Sequence, residues 1–156
     1  AMGAARVFGI DIVEERRAMG RAIGLETPDP ATARDYVKEA TKGQMCDSVI
    51  EAVGHSATIR AALGFAGRRG TVSVIGVSQD RSMDFPMANA FAMGLTFRIG
   101  TCSVPQEWPD LTPLIQSGRI RPERYISHTL PLSDGAHAYD IFDRRVDGAM
   151  KMVFEV

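Results

Sequence analysis

Short apolar runs alternate with helix-forming runs along this chain, and the apolar runs end on an acid or a glycine. "VFGI" stops at Asp11, "SVIEAV" at Gly54 and "TVSVI" at Gly76. Runs of four to eight apolar, β-branched residues between amphipathic helices describe strand–helix units, and successive units of this kind build a parallel sheet with right-handed crossovers and helices on both faces. In such sheets ligands bind beyond the carboxyl ends of the strands, so Asp11, Val53-Gly54 and Gly76-Val77 fall on the expected ligand side.

The helical runs carry their own punctuation. After a strand over 5–11, Glu14 to Ile23 is rich in helix formers and stops at Gly24. In "PDPATARDYVKEATKG" Asp29 is placed to cap, Pro30 to open the helix, and Ala33, Tyr36, Val37 and Ala40 to form the apolar stripe before Gly43. A strand over 47–53 comes next, then a helix capped by Ser56 that carries Ile59, Leu63 and Ala66 up to Gly67, then the strand "GTVSVIGV". "PMANAFAMG" reads as helix and "LTFRIGTCS" as extended chain. Pro105, Pro109 and Pro113 are expected to break up the next stretch, leaving a short helix with Leu111, Leu114 and Ile115 that ends near Gly118. A last helix is expected from Ser133 with Ala136, Tyr139 and Phe142 along one side, and "MKMVFEV" closes as a strand.

With 156 residues, 45% of them hydrophobic and 24% charged, the chain has the length and composition of one soluble domain, 1–156. A net charge of −1, with arginines dispersed among carboxylates, argues against nucleic acid or an anionic membrane as partner. No apolar run is long enough to span a bilayer, and the N-terminus has no export signal. Cys46 and Cys102 lie far apart without a C-x-x-C, which fits a reducing, cytoplasmic setting and buried thiols. His55, His128 and His137 sit on separate segments without an i, i+4 pair, so neither a catalytic nor a metal-ligating residue is assigned.

Asp11 holds the most chemistry. A carboxylate at the end of the second strand of a dinucleotide-binding unit accepts hydrogen bonds from both adenosine-ribose hydroxyls and repels a 2′-phosphate, which favours NAD over NADP. Spacing alone leaves a second reading at even weight, a charge that complements the dipole of the following helix. Gly54 and Gly76 either let the backbone approach a flat ring or serve as turn residues. Glu51, inside an apolar strand, is either a buried functional carboxylate or a group turned toward a helix terminus or a partner arginine.

Taken in order, "GAARVFGIDIVEERR", "CDSVIEAVG", "GRRGTVSVIGV", "LTFRIGTCSV" and "ISHTLPLSDGAHAYDIFDRRVDGAMKMVFEV" resemble the medium-chain, zinc-dependent alcohol dehydrogenases over essentially the whole chain. The resemblance implies an incomplete, three-layer Rossmann-like α/β sheet, without the first strand and glycine-rich loop and without the GroES-like catalytic domain that carries the zinc ligands. It implies that Asp11, with Ile12 beside it, takes the ribose hydroxyls of NAD and that Arg16 reaches the same ribose. Val53 and Gly54 would border adenine and ribose. Ile75, Gly76, Val77, Gly100 and Thr101 would line the nicotinamide, and Lys151 would face the pyrophosphate. Zinc would belong to the parent enzyme only, whose substrate would be a small alcohol or aldehyde, and this fragment alone would have no turnover.

In the strand order 3-2-1-4-5-6 the lacking strand is central, so the edges at 5–11 and 47–53 are expected to pair with each other or with another copy, giving a homo-oligomer. Two other readings stand beside this one. A zinc-free quinone or enoyl reductase would use NADPH, against which Asp11 argues. A non-catalytic nucleotide-binding or methyltransferase-like module would explain Asp11 but not the collinear match to the C-terminal strand.

Overall fold

In a computed structural model the described residues are 3–78 and 80–156, and the chain divides into two compact units, one ending at Cys102 and one from Ser103 to Val156. The first contains helices α1 (Glu14–Ala22), α2 (Ala33–Ala40), α3 (Ser56–Phe65) and α4 (Met87–Met93) and strands β1 (Cys46–Glu51), β2 (Ala66–Val74) and β3 (Thr96–Ile99). All three strands run parallel in the order β1-β2-β3. The architecture is therefore α/β with parallel, incomplete sheets, as expected.

Alternation along the strands sorts their side chains. Val49 and Glu51 of β1, Val72 and Val74 of β2 and Phe97 of β3 share one face in register, where Ile59, Ala62 and Leu63 of α3 complete a core with Ala66. Phe85 meets the Phe97 ring edge-on, centroids 5.3 Å apart. On the opposite face Ile50 remains 69% exposed. Between the pairs Cys46↔Ala66 and Ser48↔Thr71, β2 advances five residues while β1 advances two, so "GRRG" bulges out with Arg69 at φ +59°.

Several expectations need correction. Residues 5–11 do not form a strand: Phe8 makes one parallel bridge to Glu26, with Gly9 N–H donating to the Glu26 carbonyl (2.8 Å) and Glu26 N–H to the Val7 carbonyl (2.9 Å). A strand needs a ladder, and one bridge is all that the described residues provide. Nor do the 5–11 and 47–53 edges pair with each other, because β1 is hydrogen-bonded only to β2. Side chains hold the 6–9 segment instead. Arg6 forks onto both Glu26 oxygens (2.7 and 2.6 Å), donates to the Ala40 carbonyl and lies 5.1 Å above the Phe8 ring, and the Tyr36 hydroxyl also donates to Glu26 (2.9 Å).

Helix α2 starts at Ala33, later than the Asp29 cap implies. Asp29 instead accepts Ala31 N–H (2.9 Å) and closes a turn before the helix. Ser56 is the first residue of α3 and not its cap; its N–H and hydroxyl both donate to Asp80, at 2.8 and 2.5 Å.

The second unit contains α5 (Val104–Gln116), β4 (His128–Pro131), α6 (Gly135–Arg144) and β5 (Met152–Glu155). The expected break at the prolines does not occur. Pro105 lies in the first turn, where its lacking N–H costs nothing, and Pro109 and Pro113 come at four-residue spacing, so the lost bonds fall along one side of a continuous helix. Neighbouring positions keep their bonds, with Ser117 N–H donating to the Pro113 carbonyl (3.0 Å). Strand β4, not foreseen, pairs in parallel with β5 from His128↔Met152 to Pro131↔Glu155. A 3-10 turn at Leu132–Asp134 precedes α6, whose buried side chains are Ala138 and Ile141; the expected stripe of Ala136, Tyr139 and Phe142 is exposed, because α6 packs through the face that carries positions 138 and 141.

Burial makes a graded prediction. Val72→Ala, at a fully buried position, is expected to cost about 2 kcal/mol in urea unfolding, whereas Ile50→Ala on the open face changes stability by less than about 0.5 kcal/mol.

Candidate functional site

The carboxyl ends of the three strands lie in one row, with Glu51 opposite Val74 and Val74 opposite Ile99. Beyond that row come Val53-Gly54, Ile75-Gly76-Val77 and Gly100-Thr101. The structure therefore gathers seven of the sequence-derived residues at one edge. Val53, Ile75, Val77 and Ile99 are exposed there and form an apolar rim.

Glu51 organises this edge. Only 4% of it is exposed, and its carboxylate turns back onto the turn that follows its own strand. Oε1 accepts Val53 N–H and Gly54 N–H, both at 2.9 Å, and the Thr58 hydroxyl at 2.7 Å; Oε2 accepts Gly54 N–H at 3.1 Å. Its main-chain carbonyl accepts Ile75 N–H (2.8 Å) and Gly76 N–H (3.1 Å). One residue thus holds the turns after β1 and after β2. Burial alone would raise the carboxyl's pKa, but bonds from Gly54 N–H, the Thr58 hydroxyl and Val53 N–H, with His55 nearby, outweigh it and hold the group below the usual range. Of the two sequence readings of Glu51, it is the helix-terminus one that matches, since these donors lead into α3.

The glycines make room for backbone. Gly54 sits at φ +92°, and a Cβ there would fall 2.5 Å from the Val77 carbonyl oxygen; a Cβ on Gly76 would press on Val53 and Gly54, 2.6 Å from the Val53 carbonyl carbon. The two turns pack main chain against main chain. By contrast, a Cβ on Gly100 meets nothing within 4 Å. Behind the row, Asp80 terminates α3 through Ser56, whose N–H and hydroxyl hold the Asp80 carboxyl below its ordinary value. Glu51 thus takes the amides of residues 53 and 54, ahead of α3, and Asp80 takes the amide of Ser56 that opens it. At this edge the apolar side chains of Val53, Ile75 and Val77 are exposed, while the amides of Val53, Gly54, Ile75 and Gly76 are engaged by Glu51.

Asp11 stands at the head of α1. Its Oδ1 accepts Val13 N–H at 2.8 Å, its Oδ2 lies 3.6 Å from Arg16 Nη1, and its carbonyl accepts Arg17 Nη1–H at 2.6 Å. The side chain is 34% exposed, and Ile12 beside it is open to solvent. One carboxylate oxygen is thus fixed by the backbone while the other lies beside a guanidinium. Asp11, Ile12 and Arg16 form a group of their own, for the described partners of Asp11 all come from its own segment.

Lys151 lies in the second unit, where it is exposed and lines a depression of about 220 Å3 with Tyr139, Phe142, Met150 and Phe154. Beside it is an arrangement that sequence spacing did not show: Ser127, His128 and Asp147, with His128 Nδ1 3.0 Å from Ser127 Oγ and Nε2 3.6 Å from Asp147. It is no nucleophile site. Ser127 Oγ already accepts Met150 N–H (2.9 Å) and Lys151 N–H (3.2 Å), so both lone pairs are engaged in joining the starts of β4 and β5. Among the described residues no three His, Cys, Asp or Glu side chains come together to hold a metal ion.

Two measurements test these contacts. Gly76→Ala should lower the melting temperature by several degrees, with Gly100→Ala near neutral; equal effects would contradict the close packing of the turns. Because Glu51 ionises more readily folded than unfolded, its stabilisation is complete above its ordinary value of 4.5 and is lost as pH falls through the depressed folded value. Urea unfolding between pH 7 and 3 should show that acid loss, and Glu51→Gln should make it shallower. Glu14, Glu26 and Asp80, depressed in the same direction, supply what remains.

Comparison with known proteins gives this geometry a family. The family model described as zinc-binding dehydrogenase matches residues 1–117. A probable zinc-binding alcohol dehydrogenase of Mycobacterium tuberculosis is 38% identical over 137 residues, which is 88% of this chain and 35% of that protein. Among solved structures, the alcohol dehydrogenase TADH from Thermus sp. ATN1 superposes with a TM-score of 0.93 at 34% identity, over 99% of this chain and 45% of that one. A short chain alcohol dehydrogenase from E. coli CFT073, complexed with NADH, shares the fold at 18% identity, with a TM-score of 0.84 over 98% of this chain and 45% of that one. The chain thus spans less than half the length of these relatives, and it matches the C-terminal, Rossmann-like domain of alcohol dehydrogenases. By sequence and by fold, this chain belongs to the zinc-binding dehydrogenase family.

Proposed function

We propose that this chain is the cofactor-binding part of an NAD-dependent, zinc-dependent alcohol dehydrogenase that moves hydride between an alcohol and NAD. Asp11 carries the reading: one carboxylate oxygen is anchored on Val13 N–H and the other, on a partly exposed side chain, lies near Arg16 at the head of a helix. A carboxylate so held accepts two vicinal hydroxyls without reorganising and repels a 2′-phosphate. Arg16, 3.6 Å away, is placed to reach the same ribose.

The roles of the other groups follow from the resemblance. Val53 and Gly54 would border adenine and ribose, while Ile75, Gly76 and Val77 with Gly100 and Thr101 would line the nicotinamide against the apolar rim. Lys151 would neutralise pyrophosphate charge. When bound, the nicotinamide supplies the hydride acceptor; the residues of this chain bind it, orient it and keep water from one of its faces. No described cluster fits zinc, so no residue is assigned to a metal and no metal step is derived. The same reading gives the whole enzyme a small alcohol or aldehyde as substrate, a cytoplasmic setting and a homo-oligomer built through open sheet edges.

Calorimetry tests the proposal directly. The chain should bind NADH at least about tenfold more tightly than NADPH, and Asp11→Ala should weaken NADH binding by about tenfold or more. Equal affinity for the two cofactors, together with an Asp11→Ala variant that binds as before, would sink it.

A further inference from the structure

We infer that Glu51 is a positioning residue of the nucleotide site, holding the Val53–Gly54 and Ile75–Gly76 turns in the single arrangement that presents both to one bound dinucleotide. The inference rests on the dinucleotide reading above and adds to it a residue that touches no ligand. A carboxylate placed among Val49, Val72 and Val74 costs several kcal/mol to desolvate unless its oxygens are fully bonded. The strand would be more stable with an apolar residue unless the acid did something there.

What it does is visible in its bonds. The side chain takes both amides of the first turn and the main-chain carbonyl takes both amides of the second, with all four N···O distances between 2.8 and 3.1 Å. Thr58 donates to the same oxygen from the first turn of α3 and fixes the carboxylate's rotamer. Contact between Gly54 and the Gly76–Val77 backbone then carries the position of one turn to the other. Without the carboxylate, the Val53 and Gly54 amides would form an anion-attracting pair. With it, that end of the site is held shut against phosphate and aims its apolar side chains outward.

Glu51→Gln separates positioning from folding. Gln keeps the size of the side chain and one acceptor oxygen but sets an amide NH2 against Gly54 N–H. The unsubstituted chain, Glu51→Gln and Asp80→Asn are titrated with NADH, AMP and nicotinamide mononucleotide by calorimetry, each beside a thermal melt. In Glu51→Gln the Kd for NADH and for AMP should rise about tenfold at full stoichiometry. Nicotinamide mononucleotide should be affected less, because the Ile75–Gly76 turn is held by a main-chain carbonyl that no side-chain change removes. Asp80→Asn, which loosens the start of α3 through Ser56 alone, should lower the melting temperature and leave Kd unchanged.

If Glu51 served the fold only, Glu51→Gln would behave like Asp80→Asn, with a lower melting temperature, a smaller bound fraction and an unaltered Kd, and the inference would be overturned. Should Glu51→Gln fail to fold, Thr58→Val removes a single donor. It should then raise the Kd for NADH about threefold and speed amide exchange at Val53 and Gly54, and no change in either would be equally fatal. Failure of the unsubstituted chain to bind NADH overturns the dinucleotide reading and this inference with it. Binding that Glu51→Gln leaves intact overturns this inference alone.

Discussion

The junction after β1 and β2 is held by one acid. Glu51 closes the turn that follows its own strand through its side chain and the neighbouring turn through its carbonyl, so the spacing of the two strand ends is set by hydrogen bonds as well as by apolar packing. Such bonds are directional and short, and a buried carboxylate leaves few alternatives to them. The close approach of Gly54 to Gly76 and Val77 needs two residues without a Cβ, and these bonds hold the turns at that distance. Everything the strand ends can offer a ligand depends on that geometry.

Helix α3 has two duties in this arrangement. Its apolar side, Ile59, Ala62 and Leu63, closes the core over Val72 and Val74. Its first turn supplies Thr58 to Glu51 and Ser56 to Asp80. The same packing that buries the core thus fixes Glu51 at the strand ends, and Asp80 at the start of the helix behind them. It also decides the site's chemistry. The amides of residues 53, 54, 75 and 76 are consumed internally, which leaves an edge whose exposed side chains are apolar. Asp11 stands apart from that edge, its carboxylate braced by Val13 N–H and near Arg16.

Much of this was legible from residues alone where local physics governs. The strand-forming run at 71–74, the left-handed glycine Gly24 after α1 and the acid at the head of α1 each reveal themselves through properties of one or a few neighbouring side chains. The misreadings share a cause. Residues 5–11 look like a strand, but strand character belongs to a pair, and only Phe8 finds a partner. "HTLP" does not look like a strand, yet β5 makes it one. The prolines of α5 look like breaks until their four-residue spacing is seen to fall along one side of a helix. Ser56 has the composition of a cap and is itself capped, because Asp80 arrives from 24 residues away.

What the sequence determined by itself is the class of architecture and the direction of its chemistry. Hydrophobic periodicity and the glycines that follow apolar runs are local signals, and they specify an α/β architecture with parallel sheets. What only the tertiary structure decided is which groups are already spoken for. Glu51 could have been a reactive carboxylate or a bonded one, and the glycines could have made space for a ligand or for each other. Hydrogen bonds and contacts between residues distant in the chain are not encoded at any one position, so these alternatives close only when the backbone brings the turns face to face.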